Sequence, residues 1–337
     1  MKILHLLASP AYSGPCEVVA QLALAQRALG HEVTVAVDRK RKEVPSEELA
    51  VPKLEELGLL DDGGLELSVK SHPPAMIRDV RTLGRRSVDV LHSHFSHDHA
   101  VAWLARPKGA LLIRSLHAPR SLRWTMPGAR GFTTPTAALA KELEPLPTLV
   151  LKPLFDPAFG PPADKAALRQ TLGLPATGKV LGMVSSLQPS RRHEVGLDAF
   201  ARLKRAGTEA TLVVTGDGVM HAALTARAMS LGLGDAVRFV GYQKGDAFVH
   251  WMQAMDEVWI LGLGNDYSGR AAAQARACGV RSVGVDEGAL ASMVDQVVEP
   301  TAEAVAAAAF GPRRELPLPD AKAVAEEVMA LYARARA

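Results

Sequence analysis

The chain has 337 residues, of which 48% are hydrophobic and 22% charged, and its formal net charge is +3. This composition excludes a disordered chain, and the length suits two domains with buried cores. So mild a positive charge does not call for a nucleic-acid partner. The two cysteines, Cys16 and Cys278, lack redox or metal-ligand spacing, so we expect no disulfide framework and a cytoplasmic location.

Strand and helix patterns alternate through the first half of the chain. Residues 3–8 (ILHLLA) predict a buried strand, and Ser13 and Gly14 begin a helix that ends at Gly30. Further strands are predicted within 31–38 (HEVTVAVD), 88–94 (VDVLHSH) and 110–117 (ALLIRSLH). This alternation predicts a Rossmann-like domain with a doubly wound parallel sheet over residues 1–155.

The proline-rich segment 153–164 cannot form a helix or a central strand, so it is the predicted linker. After it, five apolar strand patterns alternate with helix patterns such as 194–206 and 220–231. We therefore predict an α/β chain whose second doubly wound domain covers residues 156–317. A helix in the final segment, 318–337, is expected to pack back toward the first domain.

The segment 264–279 (GNDYSGRAAAQARACG) lies between two of these predicted strands. Asp266 stands at the carboxyl end of the first strand, eight positions before Gln274 in a predicted helix. Ligands of open α/β sheets bind beyond the carboxyl ends of the strands. Two interpretations are open: Asp266 binds a ligand, or Asp266 and Ser268 only cap the helix.

Two long segments resemble the retaining GT-B glycosyltransferases of family four. Residues 212–242 (LVVTGDGVMHAALTARAMSLGLGDAVRFVGY) are similar to the family's strand, Gly-Asp-Gly turn, helix and strand, and residues 13–35 to its first helix and second strand. The resemblance covers nearly the whole chain. It implies two Rossmann-like domains facing across a cleft, the GT-B fold.

The resemblance also implies an activity. A hexose or similar sugar would pass with retention from a nucleotide-sugar donor, a UDP- or GDP-sugar, to an unidentified glycan, glycolipid or small molecule. Neither a metal ion nor a cofactor is implied, and the chain has no Asp-x-Asp motif of the metal-dependent glycosyltransferases. A dinucleotide cofactor is not expected, because no G-x-G-x-x-G fingerprint is present.

Donor-binding residues follow from the family's motifs, with departures at four positions. Arg191 takes the place of the family's Lys with Arg192 beside it, whereas Ser186 stands where the family has Arg. Asp266 and Gln274 replace the two Glu residues of the family's Glu-x7-Glu pair. The residues assigned to donor binding are Gly14, Arg191, Arg192, Ser268, Gly269, Arg270 and Gln274.

The departures leave a second function open. Charge-assisted hydrogen bonds are about twice as strong as neutral ones, so a ribose contact made by Gln274 is weaker than one made by Glu. The alternative is therefore a catalytically impaired relative that acts as a binding or partner subunit.

His117 matches a family histidine that faces the donor sugar, so the resemblance assigns catalysis to His117 and Asp266. Stabilisation of the leaving phosphate would supply much of the rate. A loop histidine bonded to backbone is the other interpretation of His117. The acceptor side is assigned to His94, His97 and Arg120. Basic residues around Arg120 also suggest weak peripheral binding at the inner membrane face, with solvated loops as the alternative.

Residues 92–99 (HSHFSHDH) are close to the metal loop of metallo-β-lactamase-like hydrolases. Four histidines in such a run are candidate zinc ligands. However, Ser96 occupies the position of the required Asp, and no partner motif follows. A metal-dependent hydrolase is therefore the least favoured of the three functions.

Overall fold

A computed structural model describes residues 1–12, 14–41, 49–70, 72–123, 127–264 and 267–337. The chain divides into two compact units. Unit 1 comprises Met1–Leu154 together with Pro319–Ala337, and unit 2 comprises Phe155–Leu318.

Unit 1 is built on a parallel sheet. Its described strands are β1 (Lys2–Leu7), β2 (Glu32–Val37), β3 (Val90–Ser93), β4 (Leu111–Ser115), β5 (Gly131–Thr134) and β6 (Thr148–Val150). They run in the order β2-β1-β3-β4-β5-β6, and all neighbours pair in parallel. Almost every residue of β1, β3, β4 and β5 is buried, as expected for strands that helices cover on both faces.

The helices of unit 1 include the last helix of the chain. They are α1 (Gly14–Ala28), α2 (Ala50–Glu56), α3 (Pro73–Gly84), α4 (Ser96–Ala105), α5 (Ala137–Lys141) and α13 (Ala321–Arg336). Helix α13 packs against α1. Its Val324, Val328 and Leu331 recur at helical spacing and are fully buried, and Tyr332 is buried beside them.

Unit 2 repeats this architecture. Its described strands are β7 (Lys179–Val184), β8 (Ala210–Thr215), β9 (Val237–Phe239), β10 (Glu257–Ile260), β11 (Arg281–Gly284) and β12 (Gln296–Val297), in the order β12-β11-β10-β7-β8-β9. All neighbours are parallel. The helices are α6 (Lys165–Thr171), α7 (His193–Arg205), α8 (His221–Ser230), α9 (Gly245–Ala254), α10 (Arg270–Ala277), α11 (Leu290–Met293) and α12 (Ala302–Ala308).

The Gly-Asp-Gly turn after β8 packs closely on the turn after β7. A Cβ atom on Gly216 would lie 2.1 Å from the carbonyl oxygen of Ser185, and one on Gly218 would lie 2.5 Å from that of Leu187. Both glycines also have positive φ. Only glycine allows this approach without strain, so the motif brings two turns together at the carboxyl edge of the sheet.

The prediction of two doubly wound parallel sheets is confirmed. Residues 153–164, the predicted linker, contain no helix or strand. Strands β5 and β6 were not predicted, because both are short and lack a long apolar run. Within the described part of the chain, no helix is long and apolar enough to cross a membrane.

Candidate functional site

Two adjacent arginines reach across the carboxyl edge of the unit 2 sheet. Strand β7 leads into a 3-10 turn, Pro189–Arg191, and α7 begins two residues later. Arg191 Nη1 donates to the carbonyl oxygen of Gly262 at 3.0 Å, and Arg192 Nη1 donates to that of Leu261 at 2.6 Å. The pair thus holds residues 261–264, which we call the β10 loop.

Glycines in the β10 loop make room for these arginines. A Cβ atom on Gly262 would lie 2.1 Å from the carbonyl oxygen of Ser190 and 2.9 Å from Arg192 Nη1. On Gly264 it would lie 2.7 Å from Arg191 Nη2. The clashes explain why this loop carries glycine on both sides of Leu263.

Glu287, which was not predicted from the sequence, contacts both Arg192 and the β10 loop. Its Oε2 accepts a hydrogen bond from the backbone N–H of Leu263 at 3.0 Å and lies 3.4 Å from Arg192 Nη1. A carboxylate three residues after β11, at the edge where the other motifs meet, is the signal that would have pointed to it.

The turn before α10 and α10 itself contain the remaining donor-site predictions of unit 2. Gly269 has φ of +69° and directly precedes Arg270, the first residue of α10. Ser268 and Arg270 are half-buried, and Gln274 is 2% exposed on α10. A neutral amide costs less to bury than a carboxylate, which suits Gln at this position. Asp266 lies outside the described residues.

The edge of unit 2 suits an anion. The amino termini of α7 and α10 and the two guanidinium groups follow the carboxyl ends of β7 and β10. His193, the first residue of α7, is buried, and burial followed by the charge of Arg191 lowers its pKa to about 4. Its imidazole is therefore neutral at pH 7, and the positive charge here comes from arginine.

Unit 1 contains a buried histidine network that was not predicted from the sequence, although His94, one of its members, was assigned to the acceptor side. His5 of β1, which was not predicted, has Nδ1 3.0 Å from His94 Nε2 and Nε2 2.9 Å from Gln26 Oε1. The Gln26 amide nitrogen donates to the Tyr332 hydroxyl at 3.2 Å. These contacts assign the His5 proton to Nε2, so His5 Nδ1 accepts from His94.

His92 of β3 extends the network to the sheet interior. Its Nδ1 lies 2.8 Å from the Tyr332 hydroxyl and its Nε2 2.8 Å from Ser115 Oγ, which in turn lies 2.7 Å from Thr133 Oγ1. The His92 and His94 rings are stacked with centroids 4.6 Å apart. Burial lowers the pKa of His5 to about 4, and burial and neighbouring histidines lower those of His92 and His94 well below 6.5.

His5, His92 and His94 are potential metal ligands, because one ring nitrogen from each lies within 4.8 Å of the others. However, both ring nitrogens of His5 and of His92 already have hydrogen-bond partners. A metal would have to displace Tyr332 or Ser115 from His92, or His94 from His5. The geometry therefore favours a neutral hydrogen-bonded network.

His99, the last histidine of residues 92–99, contacts a different set of residues. His99 Nδ1 lies 2.8 Å from Ser93 Oγ, and its Nε2 lies 3.2 Å from the carbonyl oxygen of Pro127. Asp98 accepts the N–H groups of Ala8 and Phe95, both at 2.8 Å, so it holds the start of α4. This arrangement does not favour the metallohydrolase interpretation.

His94 and His117 are brought together at the carboxyl edge of the unit 1 sheet. His117 follows β4, and its ring centroid lies 6.0 Å from that of His94 and 5.4 Å from that of Phe95. His97 is half-buried on the first turn of α4. Gly14 begins α1 with φ of +23°. Arg120 is exposed in a 3-10 turn, Pro119–Arg123. Among the described residues, it makes no hydrogen bond or ion pair with His94, His97 or His117.

Family models match both units. The model described as "Glycosyltransferase Family 4" matches residues 13–148, and "Glycosyl transferases group 1" matches residues 164–308. The chain belongs to the GT-B glycosyltransferases of family four. Membership explains why two doubly wound sheets follow one another and why the Gly-Asp-Gly turn recurs here.

Relatives of this family-four chain include proteins named D-inositol 3-phosphate glycosyltransferase. The protein from Stackebrandtia nassauensis is 29% identical over 242 residues, 61% of this chain and 54% of that protein. The protein from Salinispora arenicola is 29% identical over 254 residues, 62% and 56% of the two chains. The aligned region thus spans about half the length of these relatives.

Solved structures share the fold. Anabaena HepE in complex with UDP and glucose is 19% identical, with a TM-score of 0.72 over 99% of this chain and 98% of that one. Sucrose-phosphate synthase from Thermosynechococcus elongatus is 16% identical, with a TM-score of 0.71 over 100% and 96%. At such identities, the likeness of this family-four chain to these proteins is one of fold.

Proposed function

We propose that this chain is a metal-independent glycosyltransferase that moves a hexose or similar sugar from a nucleotide-sugar donor to an acceptor with retention. The observation that carries the proposal is the arginine pair, Arg191 and Arg192, held at the carboxyl edge of the unit 2 sheet beside two helix amino termini. Two negative phosphates require such a combination of cations and N–H groups.

A UDP-sugar is the first donor to test, and a GDP-sugar the second. Structures of Anabaena HepE, which share this fold, contain UDP, and one contains UDP-glucose. In the proposed complex, Arg191 and Arg192 bind the diphosphate, the turn at Ser268, Gly269 and Arg270 holds the sugar end, and Gln274 accepts a ribose hydroxyl. Gly14, which has no Cβ atom, lets backbone N–H groups approach a phosphate closely.

Retention is proposed from family membership. The departing diphosphate is stabilised electrostatically and accepts the acceptor's proton on the same face of the sugar, so the anomeric bond breaks on the side where the new bond forms. His117 and Asp266 are assigned to the donor sugar, and both assignments remain predictions.

The acceptor is proposed to contact His94, His97 and Arg120. His94 Nδ1 is buried and has no hydrogen-bond partner among the described residues. Arg120 and neighbouring basic residues support weak binding to an anionic membrane surface on the cytoplasmic side. Flotation with vesicles containing anionic lipid at low salt tests this part, and failure to float would remove it.

A catalytically impaired relative is the second function, and Gln274 favours it specifically. Its neutral, buried amide replaces a carboxylate of the family motif. Ser186, in place of the motif Arg, is exposed and carries no charge.

One experiment separates the two functions. Thermal shift with UDP-, GDP- and ADP-sugars identifies a donor, since a ligand at 100 times its Kd stabilises the folded state by about 2.7 kcal/mol. Release of the nucleoside diphosphate from that donor is then measured with and without candidate acceptors. Turnover that disappears in Asp266→Ala supports the enzyme. Binding without turnover under every condition supports the impaired relative, and no response to any donor contradicts both.

A further inference from the structure

We infer that Glu287 is a positioning residue that fixes the β10 loop and Arg192 for donor binding. The inference rests on the proposed function for its kinetic consequence, but its structural part can be tested without any donor. None of the family motifs described above includes this position.

Glu287 joins two parts of the carboxyl edge through one oxygen. Its Oε2 accepts the Leu263 N–H at 3.0 Å and lies 3.4 Å from Arg192 Nη1. The same Arg192 nitrogen donates to the carbonyl oxygen of Leu261 at 2.6 Å. The loop is therefore held at two of its backbone groups, directly by Glu287 and indirectly through Arg192.

The backbone around Arg192 makes this support necessary. Arg192 has φ of +53°, a left-handed conformation that is costly for a residue with a Cβ atom. Such conformations persist where surrounding contacts over-determine them, often at functional sites. The contacts of the Arg192 guanidinium with Leu261 and Glu287 are contacts of this kind.

Charge supports the same role. Arg191 and Arg192 are adjacent and both reach the carbonyl oxygens of the β10 loop. Two like charges on one short segment repel each other, and a nearby counter-charge offsets that repulsion. Glu287 supplies that counter-charge beside Arg192, so the pair keeps its geometry before any phosphate binds.

The contact differs from an ordinary surface ion pair. The Glu287 and Arg192 side chains are 25% and 39% exposed, and a charge pair that exposed contributes little by itself. The hydrogen bond to the Leu263 N–H is what a surface pair lacks. Removing its acceptor leaves a backbone donor of a buried residue unpaired.

Two variants and a matched control test the inference. Glu287→Ala removes both contacts, whereas Glu287→Gln keeps an oxygen that can accept the Leu263 N–H but removes the charge. Asp198→Ala is the control, because it breaks an ion pair of similar exposure, with Arg227, elsewhere in unit 2. All three are compared with wild type by hydrogen exchange over residues 258–264 and by titration with UDP and GDP.

We expect the Leu263 amide hydrogen to exchange about tenfold faster in Glu287→Ala than in wild type. Glu287→Gln should restore most of the protection. Asp198→Ala should change neither Leu263 exchange nor diphosphate affinity. Affinity for the diphosphate that binds wild type should fall about tenfold in Glu287→Ala. If the wild-type protein turns over a donor, the KM of Glu287→Ala for that donor should rise by a larger factor than its kcat falls.

Unchanged Leu263 exchange in Glu287→Ala would overturn the positioning role, whatever the donor result. If exchange rises but wild type binds neither UDP nor GDP, the positioning of the loop stands and the proposed function fails. If exchange rises and diphosphate affinity does not change, the loop is held by Glu287 but is not part of donor binding, and the inference is wrong.

Discussion

The hydroxyl of Tyr332 lies 2.8 Å from His92 Nδ1, so the last helix of the chain completes a polar network inside the first sheet. The same hydroxyl accepts from the Gln26 amide at 3.2 Å. Residues far apart in sequence therefore belong to one buried hydrogen-bond network. Loss of any member leaves buried polar partners unsatisfied.

Tyr332→Phe should lower the free energy of unfolding by about 1 to 3 kcal/mol, because Gln26 and His92 lose a buried partner. The exposed Tyr242→Phe is the matched control and should stay within about 0.5 kcal/mol of wild type. Urea denaturation followed by circular dichroism measures both. Equal stability of the two variants would show that the Tyr332 hydroxyl contributes nothing.

Acid should destabilise the protein between pH of about 6.5 and 4. Burial lowers the pKa of His5 to about 4, whereas an unfolded histidine titrates near 6.5. In this window the unfolded chain binds a proton that the folded chain does not, so stability is present above it and is lost as pH falls through it. His193, with a pKa of about 4 for the same reason, adds to the effect.

His5→Gln isolates one part of that dependence. It should flatten the slope of unfolding free energy against pH by up to about 1.4 kcal/mol per pH unit in this window. His250→Gln, at an exposed position, is the control. Asp98, whose pKa burial raises to about 7, binds its proton in the folded state first and so acts in the opposite direction in this window, but it is common to both variants. Identical slopes in His5→Gln and wild type would contradict the assignment of a neutral, buried imidazole.

Arg191→Ala should weaken diphosphate binding by about 10 to 100-fold, because a charge-assisted contact is lost. Arg191→Lys, which restores the residue type of the family motif, should recover much of the affinity. Arg202→Ala removes an exposed arginine of α7 and serves as the control. Calorimetric titration with UDP measures all three, and equal affinities for Arg191→Ala and Arg202→Ala would exclude Arg191 from the donor site.

Gly262→Ala should destabilise unit 2 by about 2 to 4 kcal/mol and weaken donor binding with it. The added Cβ would meet the backbone oxygen of Ser190 at 2.1 Å, and backbone yields less readily than a side chain. Gly160→Ala is the control, since no atom lies within 4 Å of its added Cβ. A melting temperature for Gly262→Ala equal to that of Gly160→Ala would contradict the close packing of the β10 loop.

Much of the fold was predictable because most strands and helices carry a local sequence pattern of their own. The apolar run of 257–263 and the helical spacing of Val324, Val328 and Leu331 needed no knowledge of neighbours. Strands β5 and β6 were not predicted because such short strands are specified by pairing, of β5 with β4 and of β6 with β5, and pairing is not visible in a local pattern. Glu287 was not predicted for a similar reason. Its partners, Leu263 and Arg192, are brought close to it only by the parallel pairing of β10 with β7 and β11.

The sequence by itself determined the two doubly wound sheets, the family and the positions of Gly14, Arg191 and Gln274 within its motifs. Local periodicity and turn chemistry carry that information along the chain. Only the tertiary structure decided that Arg191 and Arg192 lie across the β10 loop and that Glu287 contacts Arg192 and the Leu263 N–H. It also decided that His5, His92 and His94 form one network with Tyr332. Those contacts join residues from different strands and helices, and their energies depend on burial and on partners that no stretch of sequence specifies alone.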